Sequence, residues 1–352
     1  MSTGKVPTFT PVSRKYVSRK YGSRSLKLVV FLTLLYRNFR AKHIKFAIWM
    51  VNGLQYFVRS PTRVIGVRYS HKMVLRFATL LVTAMSCNLS ATPRTVHFES
   101  ADHKTKLVGY LFEPQGPGPH PAVVLLHGRA GPYSSLAKGE YSAETLSKRH
   151  KEWGEFWAER NYVALLVDSF GPRGYPAGFT KGSYDERPPE VSEQTVRPLD
   201  AYGALQFLRK QSGILKDRIG VQGWSNGGMT VLVTMSDQSP GLPLPSGESG
   251  FRAAIAEYPG CGMDAIKGAY HAYAPMLLMI AGDDEEVSPK RCEEFAKRAR
   301  ADGNDLKVIV YPGAAHNFDD PSKSKQSNPA NHQATEDAMR QAEAFFEIHL
   351  RK

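Results

Sequence analysis

The chain has 352 residues, 42% of them hydrophobic and 22% charged, a mixture that supports a buried core. Its formal charge of +13 suggests a nucleic-acid partner, but 15 of the 46 Lys and Arg lie in residues 1–72, which hold no Asp or Glu. Beyond them the basic side chains nearly balance the 33 acidic ones, so the body has no basic face and nucleic-acid binding is excluded as its main activity.

Within the basic stretch, LKLVVFLTLLY (26–36) is too short to span a bilayer comfortably. Residues 73–87, MVLRFATLLVTAMSC, start at a methionine and carry Arg76, an apolar centre and then Ala84-Met85-Ser86, the layout of a secretory signal peptide. Residues 1–72 are therefore read as an extension outside the folded domain, either upstream of a native start at Met73 or an organellar targeting segment. Residues 73–93 are read as signal-peptide-like and 94–352 as the folded domain, exported and without stable membrane insertion; an organellar or cytoplasmic location is the alternative. A lipoprotein reading through Cys87 matches poorly.

From residue 94 the pattern alternates. RTVHFES (94–100) and KLVGYLFEP (106–114) read as strands, and HPAVVLLHG (120–128) as a strand buried on both faces. A helix is expected over 141–160, where Trp153, Phe156 and Trp157 share a face, and another buried strand over 162–170. The polar stretch 171–194 is long for a plain connection, and long loops are often functional. Then follow a helix (200–210), a strand (218–224), a helix (226–236), a strand (252–260), a strand (275–282), a helix (289–302), a strand (306–313) and a last helix (332–350). Strands alternating with helices predict an α/β domain with a mostly parallel sheet covered on both faces.

The segment GVQGWSNGGMTVL (220–232) ends the fifth predicted strand. Gly223-Trp224-Ser225-Asn226-Gly227 fits G-x-S-x-G between a strand and a helix, the setting of a nucleophile elbow. A serine nucleophile needs a base, and the base an orienting acid. Of the histidines after Ser225, His316 lies just past the last predicted strand, whereas His271 comes too early and His332 and His349 fall in the final helix. The acid is expected after MLLMIAG, where Asp283, Asp284, Glu285 and Glu286 are consecutive. The oxyanion hole is expected to use the backbone N–H of Asn226 and that of Arg129, after VVLLHG. Arg173, Tyr133 and Trp224 are candidates for touching substrate, and Tyr175, Phe179 and Tyr184 hint at an aromatic or apolar group. Cys261 ends a strand and Cys292 opens the helix after the next one, so both lie at the same edge of the predicted sheet. With export, a Cys261–Cys292 disulfide is expected; two buried free thiols are the alternative.

The ordered motifs PAVVLLHG, YVALLVDSFGPRG, DRIGVQGWSNGG, AEYPGCG, PMLLMIAGDDEEVSPKRCEEF and VIVYPGAAHNFDDP resemble the dienelactone hydrolase family of α/β-hydrolases over about residues 95–350. The resemblance implies an α/β-hydrolase fold without a large cap domain, a catalytic triad, no metal or organic cofactor, and a small-molecule ester or lactone as substrate. Its spacing selects Asp284 from Pro275 and from Cys292, but Glu285 from Gly282 and Pro289; Asp284 is taken as the acid with Glu285 as the alternative. Founding members use cysteine as nucleophile, so Ser225 points to a serine branch and away from dienelactone itself. Arg173, in FGPRG, matches a family motif and either binds a substrate carboxylate or braces the loop. A peptidase of the same fold and a catalytically inactive binding protein are the competing functions.

Overall fold

The computed structural model describes residues 92–240 and 250–352. The basic extension and residues 73–91 of the signal-like segment lie outside the described residues. So do residues 241–249, the centre of the loop expected over 238–250.

Eight strands form one sheet in the order β1-β2-β4-β3-β5-β6-β7-β8. They are β1 (Arg94–Glu99), β2 (Lys106–Phe112), β3 (His120–Leu126), β4 (Val163–Asp168), β5 (Ile214–Trp224), β6 (Ala253–Glu257), β7 (Met276–Ala281) and β8 (Leu306–Tyr311). The first two pair antiparallel, and every pairing from β4 to β8 is parallel. β4, β6 and β7 are buried at every position and β3 at all but His120, which is why each reads as an unbroken apolar run. β5 starts four residues before its expected beginning. Its first half carries Leu215, Lys216 and Asp217, all exposed, and the half-buried Arg218, and a register shift against β3 separates it from the buried half.

Helices cover both faces. On one lie α2 (Arg197–Arg209), α3 (Asn226–Thr234) and α4 (Pro289–Ala301), packing Tyr202, Leu205, Val231, Leu232 and Phe295 onto Leu126, Val221 and Leu278. On the other lie α1 (Lys148–Glu159) and α6 (Pro329–Phe346), packing Trp153, Trp157, Ala338 and Phe346 onto Leu125, Ile255 and Leu277. The one-turn α5 (Lys323–Gln326) precedes α6. The helix expected over 141–160 begins at Lys148 because Ser147 caps it, its hydroxyl accepting the N–H of His150. The residues before it turn off separately, with Tyr133 bridged to Leu146. The sheet is mostly parallel with helices on both faces, as expected, and its C-terminal edge gathers the turns after β3, β5, β7 and β8.

Candidate active site

The turn after β5 is forced by its glycines. A Cβ on Gly223 would collide with the carbonyl oxygen of Gly227, and a Cβ on Gly227 with that of Leu126. Ser225 between them sits at φ 53°, ψ −113°, a conformation an L-residue adopts only when its surroundings impose it. Its N–H is held by the carbonyl of Glu257 at 2.9 Å, and it stands at the N-terminus of α3.

The turns after β7 and β8 complete the group. His316 Nε2 lies 2.9 Å from Ser225 Oγ, and His316 Nδ1 lies 2.7 Å from Asp284 Oδ2. Asp284 Oδ1 accepts the N–H groups of Glu286 and Val287 at 2.8 and 2.9 Å, so this carboxylate has a fixed orientation. With Nδ1 protonated toward Asp284, Nε2 is free to accept the serine proton. Both side chains are 1% exposed, and the edge of the Tyr258 ring packs on the imidazole.

The other carboxylates of the acidic run have different partners. Glu285 Oε2 accepts the backbone N–H of His316 at 2.9 Å and does not face the ring. Glu286 takes a two-bond grip from Arg129, Nε at 2.9 Å and Nη2 at 3.0 Å, and lies 3.8 Å from His316 Nε2. Burial pushes the Glu286 carboxyl up, but its bond to Arg129 and the positive charge there outweigh this and hold it below the usual value.

The loop after β3 lies against the elbow: a Cβ on Gly128 would stand 3.6 Å from Ser225 Cβ. Among the described residues, the N–H groups of Arg129 and Asn226 donate to no other backbone group. His127 is buried and anchors this loop: its carbonyl accepts from Arg197 Nη2 at 2.7 Å, and its Nε2 lies 3.2 Å from the Ser169 N–H. Burial, reinforced by the Arg197 charge, pushes its pKa well down, so His127 is neutral and structural.

A cavity of about 410 Å³ opens over Ser225, lined among others by Tyr184, Arg187, Met229, Val287 and Arg291. The stretch 171–194 folds across it as three short turns, tied down where Arg187 Nη1 meets Asn226 Oδ1 at 2.6 Å and Asn226 Nδ2 meets Glu193 Oε1 at 2.6 Å. Cys261 and Cys292 are joined in a disulfide with Cα atoms 5.1 Å apart, and Cys261 lines the same cavity. Among the described residues no group of three or more His, Cys, Asp or Glu is placed to hold a metal ion, and no helix is long and apolar enough to cross a membrane.

Three candidates for substrate contact are corrected. Arg173 is turned inward, paired through both Nη atoms with Asp200 at 2.8 Å and bonded to the Ser169 carbonyl, so it braces the loop. Tyr133 is buried, its hydroxyl donating to Asp168 at 2.8 Å beside the Tyr110 hydroxyl. Trp224 is fully buried, its ring against His150 and Trp153, because it is the last residue of β5 and packs into the core layer under α1 before the chain turns at Ser225. Arg187, Glu193 and Arg291 were not expected at the site, and Glu286 was expected there only as one of four consecutive candidates for the acid; the three reach it through the folding of distant loops, and no local pattern marks them.

Glu257 lies wholly buried behind the nucleophile, accepting from Gln222 Nε2 at 2.6 Å. Burial and then the Asp319 charge push its carboxyl well up, so it keeps its proton above the pH at which an exposed Glu loses it. Unfolding returns it to the ordinary value, so stability falls as pH rises between the two, at up to about 1.4 kcal/mol per pH unit. Glu257→Gln preserves the shape without the ionisation and is expected to flatten this slope. Melting curves of both proteins from pH 5 to 8 test it, and identical pH dependence would show that Glu257 does not contribute.

The dienelactone hydrolase family profile matches residues 107–350. A Bradyrhizobium protein named as a probable 2-oxo-3-(5-oxofuran-2-ylidene)propanoate lactonase is 22% identical over 161 residues, 46% of this chain and 64% of that protein, so the match spans less than two thirds of the relative. A putative dienelactone hydrolase from Klebsiella pneumoniae superposes with a TM-score of 0.53 at 16% identity, covering 72% of this chain and 98% of the other. Esterase 2 of Thermogutta terrifontis, phosphonylated by sarin, gives 0.51 at 18% identity, covering 73% and 95%. These two structural likenesses speak to the fold. The profile, running from β2 to the chain's last residues through all three turns that meet at Ser225, establishes that this chain belongs to the dienelactone hydrolase family.

Proposed function

We propose that the chain hydrolyses carboxylic esters or lactones through an acyl-enzyme on Ser225. The observation that carries this reading is the hydrogen-bonded line from Asp284 through His316 to Ser225, ending at the floor of a cavity of about 410 Å³. In this mechanism Ser225 Oγ attacks the carbonyl carbon as His316 Nε2 takes its proton, and Asp284 stabilises the imidazolium. The developing oxyanion is held by the N–H groups of Arg129 and Asn226. His316 then gives its proton to the departing alcohol oxygen, and a water activated by the same nitrogen releases the acid. For a lactone the alcohol stays tethered, so the product is one hydroxy acid. The cavity size suits a small molecule, and its charged lining favours a compact polar ester over a long acyl chain.

The names of the Bradyrhizobium lactonase and the Thermogutta esterase agree with this substrate class. The test is turnover of a small chromogenic ester together with labelling by a fluorophosphonate, which phosphonylates an activated serine with loss of fluoride. Labelling of the peptide bearing Ser225, and loss of both label and turnover in Ser225→Ala, are the expected results. Turnover that persists without the label removes the reading. We also read residues 73–93 as an export signal. The disulfide, which suits an oxidising compartment, supports this, and freely alkylated thiols in unreduced protein would count against it.

A further inference from the structure

We propose that Glu285 and Lys325 form a clamp on the main chain of His316, a positioning device separate from the grip of Asp284 on its ring. The proposal rests on the reading of His316 as the catalytic base.

His316 lies in the turn after β8, outside any helix or strand, so no ladder satisfies its peptide groups and the question is where those bonds go. Both go to side chains. Glu285 Oε2 accepts the His316 N–H at 2.9 Å, and Lys325 Nζ donates to the His316 carbonyl at 2.7 Å. The two side chains meet each other, Lys325 Nζ to Glu285 Oε1 at 3.3 Å, closing a ring around the main chain of one residue. Lys325 is itself placed by Asn331, whose Nδ2 donates to the Lys325 carbonyl at 3.0 Å while its Oδ1 accepts the Ala315 N–H at 2.9 Å. The next residue, Asn317, has φ 55°, a left-handed conformation that Asn adopts more readily than most residues, and its Oδ1 accepts from Arg149 Nη1 at 2.8 Å.

Two adjacent acids therefore grip one histidine at two points. Asp284 fixes the direction of the imidazole at Nδ1, and Glu285 fixes the backbone from which the imidazole hangs. A base held only through its ring could tilt with its loop, and Nε2 would drift from Ser225 Oγ. Misplacement of about 1 Å at a reacting group can cost ~10²-fold in rate.

Glu285 and Lys325 are 46% and 30% exposed, and exposed ion pairs add little to stability, so the effect on rate separates from any effect on folding. Glu285→Ala is expected to lower kcat by about tenfold or more with KM within about twofold and an unchanged melting temperature. Glu285→Gln, whose amide oxygen can accept the same N–H, should recover most of that loss. Lys325→Met should lower kcat less, by about threefold, and the double variant with Glu285→Ala should be non-additive because both act on the main chain of one residue. Unchanged kcat in Glu285→Ala overturns the clamp. So does a loss as large in Glu285→Gln, which would make charge rather than acceptance the cause, or a loss matched by a fall in melting temperature. Ser225→Ala in the same assay separates the failures. Turnover surviving there removes the nucleophile, whereas an inactive Ser225→Ala beside a fully active Glu285→Ala removes the clamp alone.

Discussion

Ser225→Ala and His316→Ala are each expected to lower kcat by roughly 10⁴-fold or more, and the double variant to be hardly worse than either. The reason is that nucleophile and base do one job. Without Oγ there is nothing for Nε2 to deprotonate, and without the imidazole the hydroxyl is a poor nucleophile at neutral pH. What remains in all three variants is binding and the N–H groups of Arg129 and Asn226. Asp284→Asn is expected to fall in between, by about 10³–10⁴-fold, because an amide can hold the wrong tautomer of His316 and cannot stabilise its charge. The fold should survive, since among the described residues the side chain of Ser225 bonds only to His316. Single-turnover and steady-state kinetics on protein purified free of other esterases decide the matter. Full activity in Ser225→Ala removes the mechanism, and losses that multiply in the double variant show two independent groups.

The sheet and the elbow were legible in the sequence because each leaves a mark within a few residues. A strand between two helix layers is apolar at every position, so β3, β4, β6 and β7 stand out as runs. The elbow is legible because a Cβ at Gly223 or Gly227 would strike a carbonyl oxygen, so the turn itself requires glycine there. The acid was harder. In a run of four carboxylates on a turn there is no periodicity, and motif spacing divided between Asp284 and Glu285. In the structure both contact His316, at different atoms, so each spacing pointed at a real contact. The 171–194 stretch and Tyr184 within it pointed to the cavity, but the pairings that build its walls were not legible. Arg129 and Glu286 pair across 157 residues of chain, and Arg187 reaches Asn226 across 39, so neither leaves a local pattern. The same long-range pairing misled in the other direction. Arg173 stands in a motif on a functional loop, yet its charge is spent on buried Asp200, which only the fold reveals.

Removing the disulfide is expected to cost about as much stability as truncating a large buried side chain. The bond closes a loop with a sequence separation of 31 residues, between the turn after β6 and the first turn of α4. In the chain-entropy account, opening such a loop restores freedom to the unfolded chain worth about 3.5 kcal/mol. For a domain of this size that corresponds to a fall in melting temperature of roughly 7–14 °C. Cys292→Ser confounds the measurement. Cys292 is 1% exposed with its sulfur 3.2 Å from the Pro259 carbonyl, so a serine hydroxyl there gains a hydrogen bond that offsets part of the loss. Cys292→Ala is therefore the cleaner variant. The loss also reaches the site, because Cys261 lines the cavity and α4 follows directly on the turn that holds Asp284 and Glu285. The expected result is a lower melting temperature for Cys292→Ala and for reduced wild type alike, with no further effect of reductant on Cys292→Ala, and a raised KM in both. Alkylation of denatured, unreduced wild type should find neither Cys261 nor Cys292 reactive. Two reactive thiols there, or a reductant effect that persists in Cys292→Ala, would show that the covalent link is not what stiffens this wall of the cavity.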